Sequence, residues 1–225
     1  MKQVLTLLQK EIILEWKQRF AFSGLLLYLI STLLVVYISF INVEPFTWIA
    51  LFWIINLFTA VSAVAKSFMQ ESRWRMLYYY STVSANELII ARIIYNTTLM
   101  FVISLIGLAI YSVITANPIL HEGYFVVVVL LGCMSFSFTF TLMSAIAGKA
   151  GNNFTLMSIL SFPIIIPVLL LLLKISLATL ATQMDFPLQD LALLGGMNLI
   201  TLLKENQHNF LAVNNSAYVL RARLL

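Results

Sequence analysis

The chain alternates long apolar runs with short polar gaps. Phe22 to Ile41 carries no charge over twenty positions, long enough for an α-helix to cross a hydrocarbon core of about 30 Å. The pattern repeats at Phe46–Ala65, Ile93–Ile114, Tyr124–Ala147 and Phe154–Leu173. A sixth run, Leu191–Leu203, has only thirteen residues and is incomplete as a crossing. In lipid every backbone polar group must be satisfied within its own segment, so these runs predict helices. Asn42, Glu44 and Pro45 form a turn short enough to make the first two helices antiparallel neighbours. Polar turns also fall at Thr115–Gly123 and Gly148–Asn153, and a longer, mildly amphipathic loop at Lys174–Asp190. The fold class that follows is an all-α membrane protein. It is a polytopic helical bundle of about six transmembrane helices, in one transmembrane domain over residues 1–225.

Three local signals refine this. Residues 1–21 show helical spacing, with Met1, Leu5, Leu8, Ile12 and Trp16 on one face and Lys2, Lys10 and Lys17 on another. This predicts an interfacial helix, the alternative being an extension of the first span. Ser84-Ala-Asn-Glu87 has the form of a capping box and predicts a helix from Ala85 through Ile114. Pro163 and Pro167 lie inside the fifth run, where each removes a backbone hydrogen bond and predicts a kink or break. The hydroxyl-rich run Ser135–Ser144 in the fourth span reads as packing residues bonded to their own helix or a neighbour, the alternative being a polar pathway.

The longest polar interruption is Lys66–Arg92, KSFMQESRWRMLYYYSTVSANELIIAR. With the N-terminus in the cytoplasm, nine of the thirteen Lys and Arg residues fall inside: Lys2, Lys10, Lys17, Arg19, Lys66, Arg73, Arg75, Arg92 and Lys149. Only Lys174 falls outside, with Glu44, Glu122, Asp185 and Asp190. Lys204, Arg221 and Arg223 belong to a tail that this count does not place. The positive-inside rule therefore puts residues 66–92 on the cytoplasmic side.

Composition agrees with a membrane protein: 61% hydrophobic and 10% charged residues, against about 25% charged in soluble domains. The net charge of +4 reads as topology. No basic cluster with interleaved aromatics stands clear of the membrane, so nucleic acid is not an expected partner. One cysteine, Cys133, excludes an internal disulfide. There is no Walker A sequence, no GxGxxG, no HExxH and no GxSxG, so the chain is not expected to be an enzyme. His121 and His208 lie in a loop and in the tail; His121 is either a haem ligand near the outer surface or an ordinary loop histidine. No span carries a charge away from its ends, which disfavours an ion-coupled transporter. Energy for any transport must then enter from a separate subunit.

Gly148-Lys-Ala-Gly, followed by Leu156-Met-Ser-Ile-Leu-Ser-Phe-Pro-Ile-Ile-Ile-Pro-Val-Leu-Leu170, resembles the fifth-span motif of the haem exporter protein B (CcmB-like) family, with Pro163 and Pro167 at the same spacing. The short N-terminal helix with Glu11, Glu15 and Arg19, and the charged loop after the second span, fit as well. The resemblance covers residues 1 to about 200. It implies the permease subunit of an ABC transporter in cytochrome c maturation, with an ABC-2-type exporter fold and six spans in the bacterial inner membrane. It also implies a cytoplasmic ATP-binding subunit, a haem-handling membrane subunit, a small single-span subunit and a periplasmic haem chaperone. Haem would be a transported or handled ligand, with no cofactor of the chain's own. The departure is at the C-terminus, where Lys204-Glu-Asn-Gln-His-Asn209 interrupts the sixth span.

On this reading residues 66–92 are the coupling segment, and Glu71, Arg73, Trp74, Arg75 and Met76 are the expected ATPase contact. The arginines would pair with partner carboxylates while Trp74 and Met76 fill a groove. The alternative for these residues is anchorage to lipid headgroups. The residues themselves leave two other functions open: an ABC-2-type permease for a drug, lipid or polysaccharide, and a non-transporting membrane scaffold.

Overall fold

The computed structural model describes residues 6–10, 12–13, 20–40, 43–69, 85–149, 154–181 and 187–203. Five helices in it are long and apolar enough to cross a membrane. They are α1 (Phe20–Ser39), α2 (Pro45–Met69), α3 (Ala85–Thr115), α4 (Glu122–Lys149) and α5 (Phe154–Leu177). A shorter apolar helix, α6 (Leu188–Leu203), follows. Its sixteen residues rise about 24 Å, short of a full hydrocarbon core. Of the predicted interfacial helix, residues 6–10 and 12–13 are helical and Leu7 is buried.

α4 lies at the centre. Every side chain from Ser135 to Ser144 is buried, the pattern of a helix enclosed on all sides. α2, α3 and α5 pack around it, and α1 packs on α2 and α3. The outer helices bury one stripe each. α1 buries Leu25, Leu29, Leu33 and Val36, and exposes Leu27, Leu34, Val35 and Ile38. α5 buries Ser161, Ile165, Val168 and Leu172, and exposes Ile159, Phe162, Ile166 and Leu170. Inner and outer faces are equally apolar, as lipid allows. α5 continues through Pro163 and Pro167 without interruption.

Several boundaries differ from the sequence reading. α2 continues four residues past Ala65, to Met69. α3 starts at Ala85 as the capping pattern predicts, with Glu87 in its first turn; Ser84 lies outside the described residues. Of the expected loop from Lys174 to Asp190, residues 174–180 and 188–190 are helical, and residues 182–186 lie outside the described residues. Lys174 sits in the last turn of α5, a 3-10 turn covers Ala178–Leu180, and α6 opens at Leu188. The two charges that bound the expected loop bond to each other, Lys174 Nζ to Asp190 Oδ1 at 2.8 Å. The pair ties the ends of α5 and α6 together.

The connection between α3 and α4 is equally ordered. Ala116 takes a left-handed φ of 56° and ends α3, the conformation a helix C-terminus commonly adopts. Asn117 then accepts from the Ile119 amide at 3.0 Å and donates to Glu122 Oε1 at 2.9 Å. The Leu120 amide donates to the Thr179 carbonyl at 3.1 Å, joining this loop to the 3-10 turn.

Candidate functional site

Two regions bear on function: the end of the bundle where α2 leaves and α3 enters, and a line of buried polar contacts inside it. At the first, α2 extends from its apolar window Pro45–Ala63 to Met69, and α3 begins at Ala85, ahead of its window at Ile90. The two helices thus project about 8–9 Å beyond their apolar lengths. Glu71, Arg73, Trp74, Arg75 and Met76 belong to the stretch between these stalks and lie outside the described residues.

The second region runs along α2, α3, α4 and α5. Trp48, near the α3–α4 loop, donates from Nε1 to Thr115 Oγ1 at 2.8 Å and stacks on Tyr111 with ring centroids 4.5 Å apart. One and a half turns on, Trp53 Nε1 donates to Ser176 Oγ of α5 at 2.8 Å. Its six-membered ring lies directly on Gly132 of α4, at a place a Cβ would occupy. Asn56 follows. Its Nδ2 donates to the Phe52 carbonyl at 2.9 Å, and its Oδ1 accepts from Ser104 of α3. Ser104 Oγ also lies 3.4 Å from Cys133 Sγ of α4. Nearer the 66–92 end, Asn96 Nδ2 reaches Thr141 Oγ1 at 3.5 Å, and Ser137 donates to the Ile93 carbonyl at 3.1 Å.

The hydroxyl run is therefore a packing device, as the sequence favours. Ser135 donates to the Leu131 carbonyl, Thr139 to that of Ser135, and Ser144 to that of Thr141. Ser137 and Thr141 bond α3 instead. A hydroxyl bonded to its own or a neighbouring helix is a satisfied group in a dry interior.

His121 Nε2 lies 3.2 Å from the Ala181 carbonyl, so its ring ties the α3–α4 loop to the end of the 3-10 turn, as an ordinary loop histidine does. His208 lies outside the described residues. Among the described residues, no group of three or more His, Cys, Asp or Glu side chains gathers as a metal site would require. Sequence reasoning missed Ser104 and Trp53 as partners. The available signal was a polar residue in the interior of an apolar run, which picks out Asn56 and Ser104 alike.

The family model of the CcmB protein matches residues 2–211 of the chain. No curated protein and no solved structure matches it.

Proposed function

The chain belongs to the CcmB protein family, and from that membership we propose a mechanical role for the segment between α2 and α3. The family is the permease subunit of the haem exporter ABC transporter of cytochrome c maturation. It is a multi-pass, non-catalytic membrane subunit that works with the CcmA ATPase. In our reading the ATPase docks on residues 66–92 and its ATP-driven closure displaces them. Glu71, Arg73, Trp74, Arg75 and Met76 make the contact, the charged groups pairing with partner side chains and Trp74 and Met76 filling a groove. The bundle sits in the bacterial inner membrane with its N-terminus in the cytoplasm. A haem-handling membrane subunit, a small single-span subunit and a periplasmic haem chaperone complete the assembly. Haem is the handled ligand of the complex, and the chain needs no cofactor of its own.

The observation that carries this reading is the pair of stalks. α2 runs past its apolar stretch through Lys66 to Met69 and α3 begins ahead of its own at Ala85, so both helices carry the ends of the segment that holds Lys66, Arg73, Arg75 and Arg92; α4 and α5 run on by a similar length at the same end, beside Lys149. A rigid helix that protrudes is a lever for force applied to its tip. The test is capture of the ATPase by the chain carrying Arg73→Ala and Trp74→Ala together, with cytochrome c yield measured alongside. Loss of both is expected; unchanged capture and yield would sink the contact.

A further inference from the structure

We infer that the turn of α2 carrying Trp53 and Asn56 is a transmission joint, which makes α2, α3, α4 and α5 respond as one body when residues 66–92 are displaced. The inference rests on the reading of residues 66–92 as the coupling segment. From this single turn, directional contacts reach three other helices. Trp53 bonds Ser176 of α5 and lies on Gly132 of α4. Asn56 bonds Ser104 of α3, whose hydroxyl meets Cys133 of α4. The bond from Asn56 Nδ2 to the Phe52 carbonyl holds the amide so that Oδ1 points to α3. All five side chains are buried, none more than 6% exposed.

Depth makes these contacts effective. Asn56, Ser104 and Cys133 each lie near the middle of their apolar windows, Pro45–Ala63, Ile90–Thr115 and Glu122–Ser144. That is the dry midplane, where no water offers an alternative partner. Apolar helices in lipid have no hydrophobic drive to stay together, so hydrogen bonds and close packing decide which helices move jointly. α2 runs directly into residues 66–92, and α3 is the helix that leaves them. Locked at Asn56–Ser104, the two form one lever. The links to Cys133, Gly132 and Ser176 carry its motion to α4 and α5.

The test uses the full chain reconstituted in liposomes with its ATPase partner. A spin label is placed at Gly123→Cys, an exposed position with open space at the far end of α4. Cys133 is buried and out of the label's reach. The label is expected to respond to ATP in the otherwise unchanged chain. Asn56→Leu and, separately, Ser104→Ala are expected to capture the ATPase normally and yet lose that response. In the complete system without the label, each is expected to lower matured cytochrome c per ATP hydrolysed by about threefold or more, the factor that one typical interhelical bond is worth. The exchange of Asn56→Ser with Ser104→Asn restores an interhelical bond and is expected to recover both readouts. If Asn56→Leu fails to assemble, Ser104→Ala, which removes one oxygen, decides. A full ATP response in Ser104→Ala, or no recovery in the exchange, would overturn the joint while leaving the coupling segment standing. An unchanged chain that binds the ATPase but shows no ATP response would overturn both.

Discussion

The indole of Trp53 donates to Ser176 Oγ at 2.8 Å where α2 crosses α5. Both residues are buried, 1% and 0% exposed, so the bond has no competitor from solvent. Ser176→Ala is expected to leave the indole N–H unpaired and to destabilise the bundle by about 1–3 kcal/mol. The double-mutant cycle with Trp53→Phe is expected to return a smaller pairwise term, about 0.6 kcal/mol, typical of interhelical bonds in membranes. Unfolding of the purified chain in mixed micelles measures both.

Gly132 and Gly107 separate rigid from yielding neighbours. A Cβ at Gly132 meets Cη2 and Cζ3 of the Trp53 indole, which is held by Ser176. Gly132→Ala is expected to cost about 1–3 kcal/mol through overpacking. A Cβ at Gly107 meets the tip of Leu29, Cδ1 at 2.9 Å, a flexible end that rotates aside. Gly107→Ala is expected to be near neutral, because alanine's helical preference of about 1 kcal/mol offsets the contact. Thermal unfolding of the two variants side by side gives the comparison.

Ser135 and Ser137 are two residues apart and both buried, yet they bond different partners. Ser135 donates within α4, to Leu131, whereas Ser137 donates to Ile93 of α3. Ser137→Ala is expected to weaken the α3–α4 crossing by about 0.6 kcal/mol, and Ser135→Ala to leave it unchanged. Cysteine cross-linking rates between α3 and α4 in each background read the difference.

The Lys174–Asp190 pair is asymmetric. The lysine side chain is 68% exposed and the carboxylate 12%. Lys174→Ala strands a largely buried charge, whereas Asp190→Asn leaves an exposed ammonium and a neutral side chain. The lysine variant is expected to be the more harmful, and the asparagine variant to stay within about 1 kcal/mol of the parent, as for an exposed pair. Hydrogen exchange in the first turn of α6 is the measurement, with faster exchange expected in Lys174→Ala.

Much of the architecture was legible in the residues. Five of the apolar runs form helices long enough to span, the short sixth run forms a short helix, and α3 starts at Ala85 where Ser84 and Glu87 indicated. The proline motif and the charged loop pointed to the family that matches residues 2–211. The interior was less legible. Asn56 is a polar residue inside an apolar run, a signal available in the sequence, but nothing in that run names Ser104 as its partner. Lys174 and Asp190 bounded an expected loop, but they lie in the last turn of α5 and the first turn of α6 and pair with each other.

What the sequence by itself determined is which segments enter the membrane and which end gathers the positive charge. Both follow from transfer of each segment between water and lipid, a local property. The tertiary structure alone decided which face of each helix turns inward. α1, α3 and α5 carry apolar residues on their outer as well as their inner faces, because lipid asks the same of the one as packing asks of the other, so periodicity does not mark the core. A few buried polar pairs settle it, Trp53 against Ser176 and Asn56 against Ser104, because each of them joins two helices.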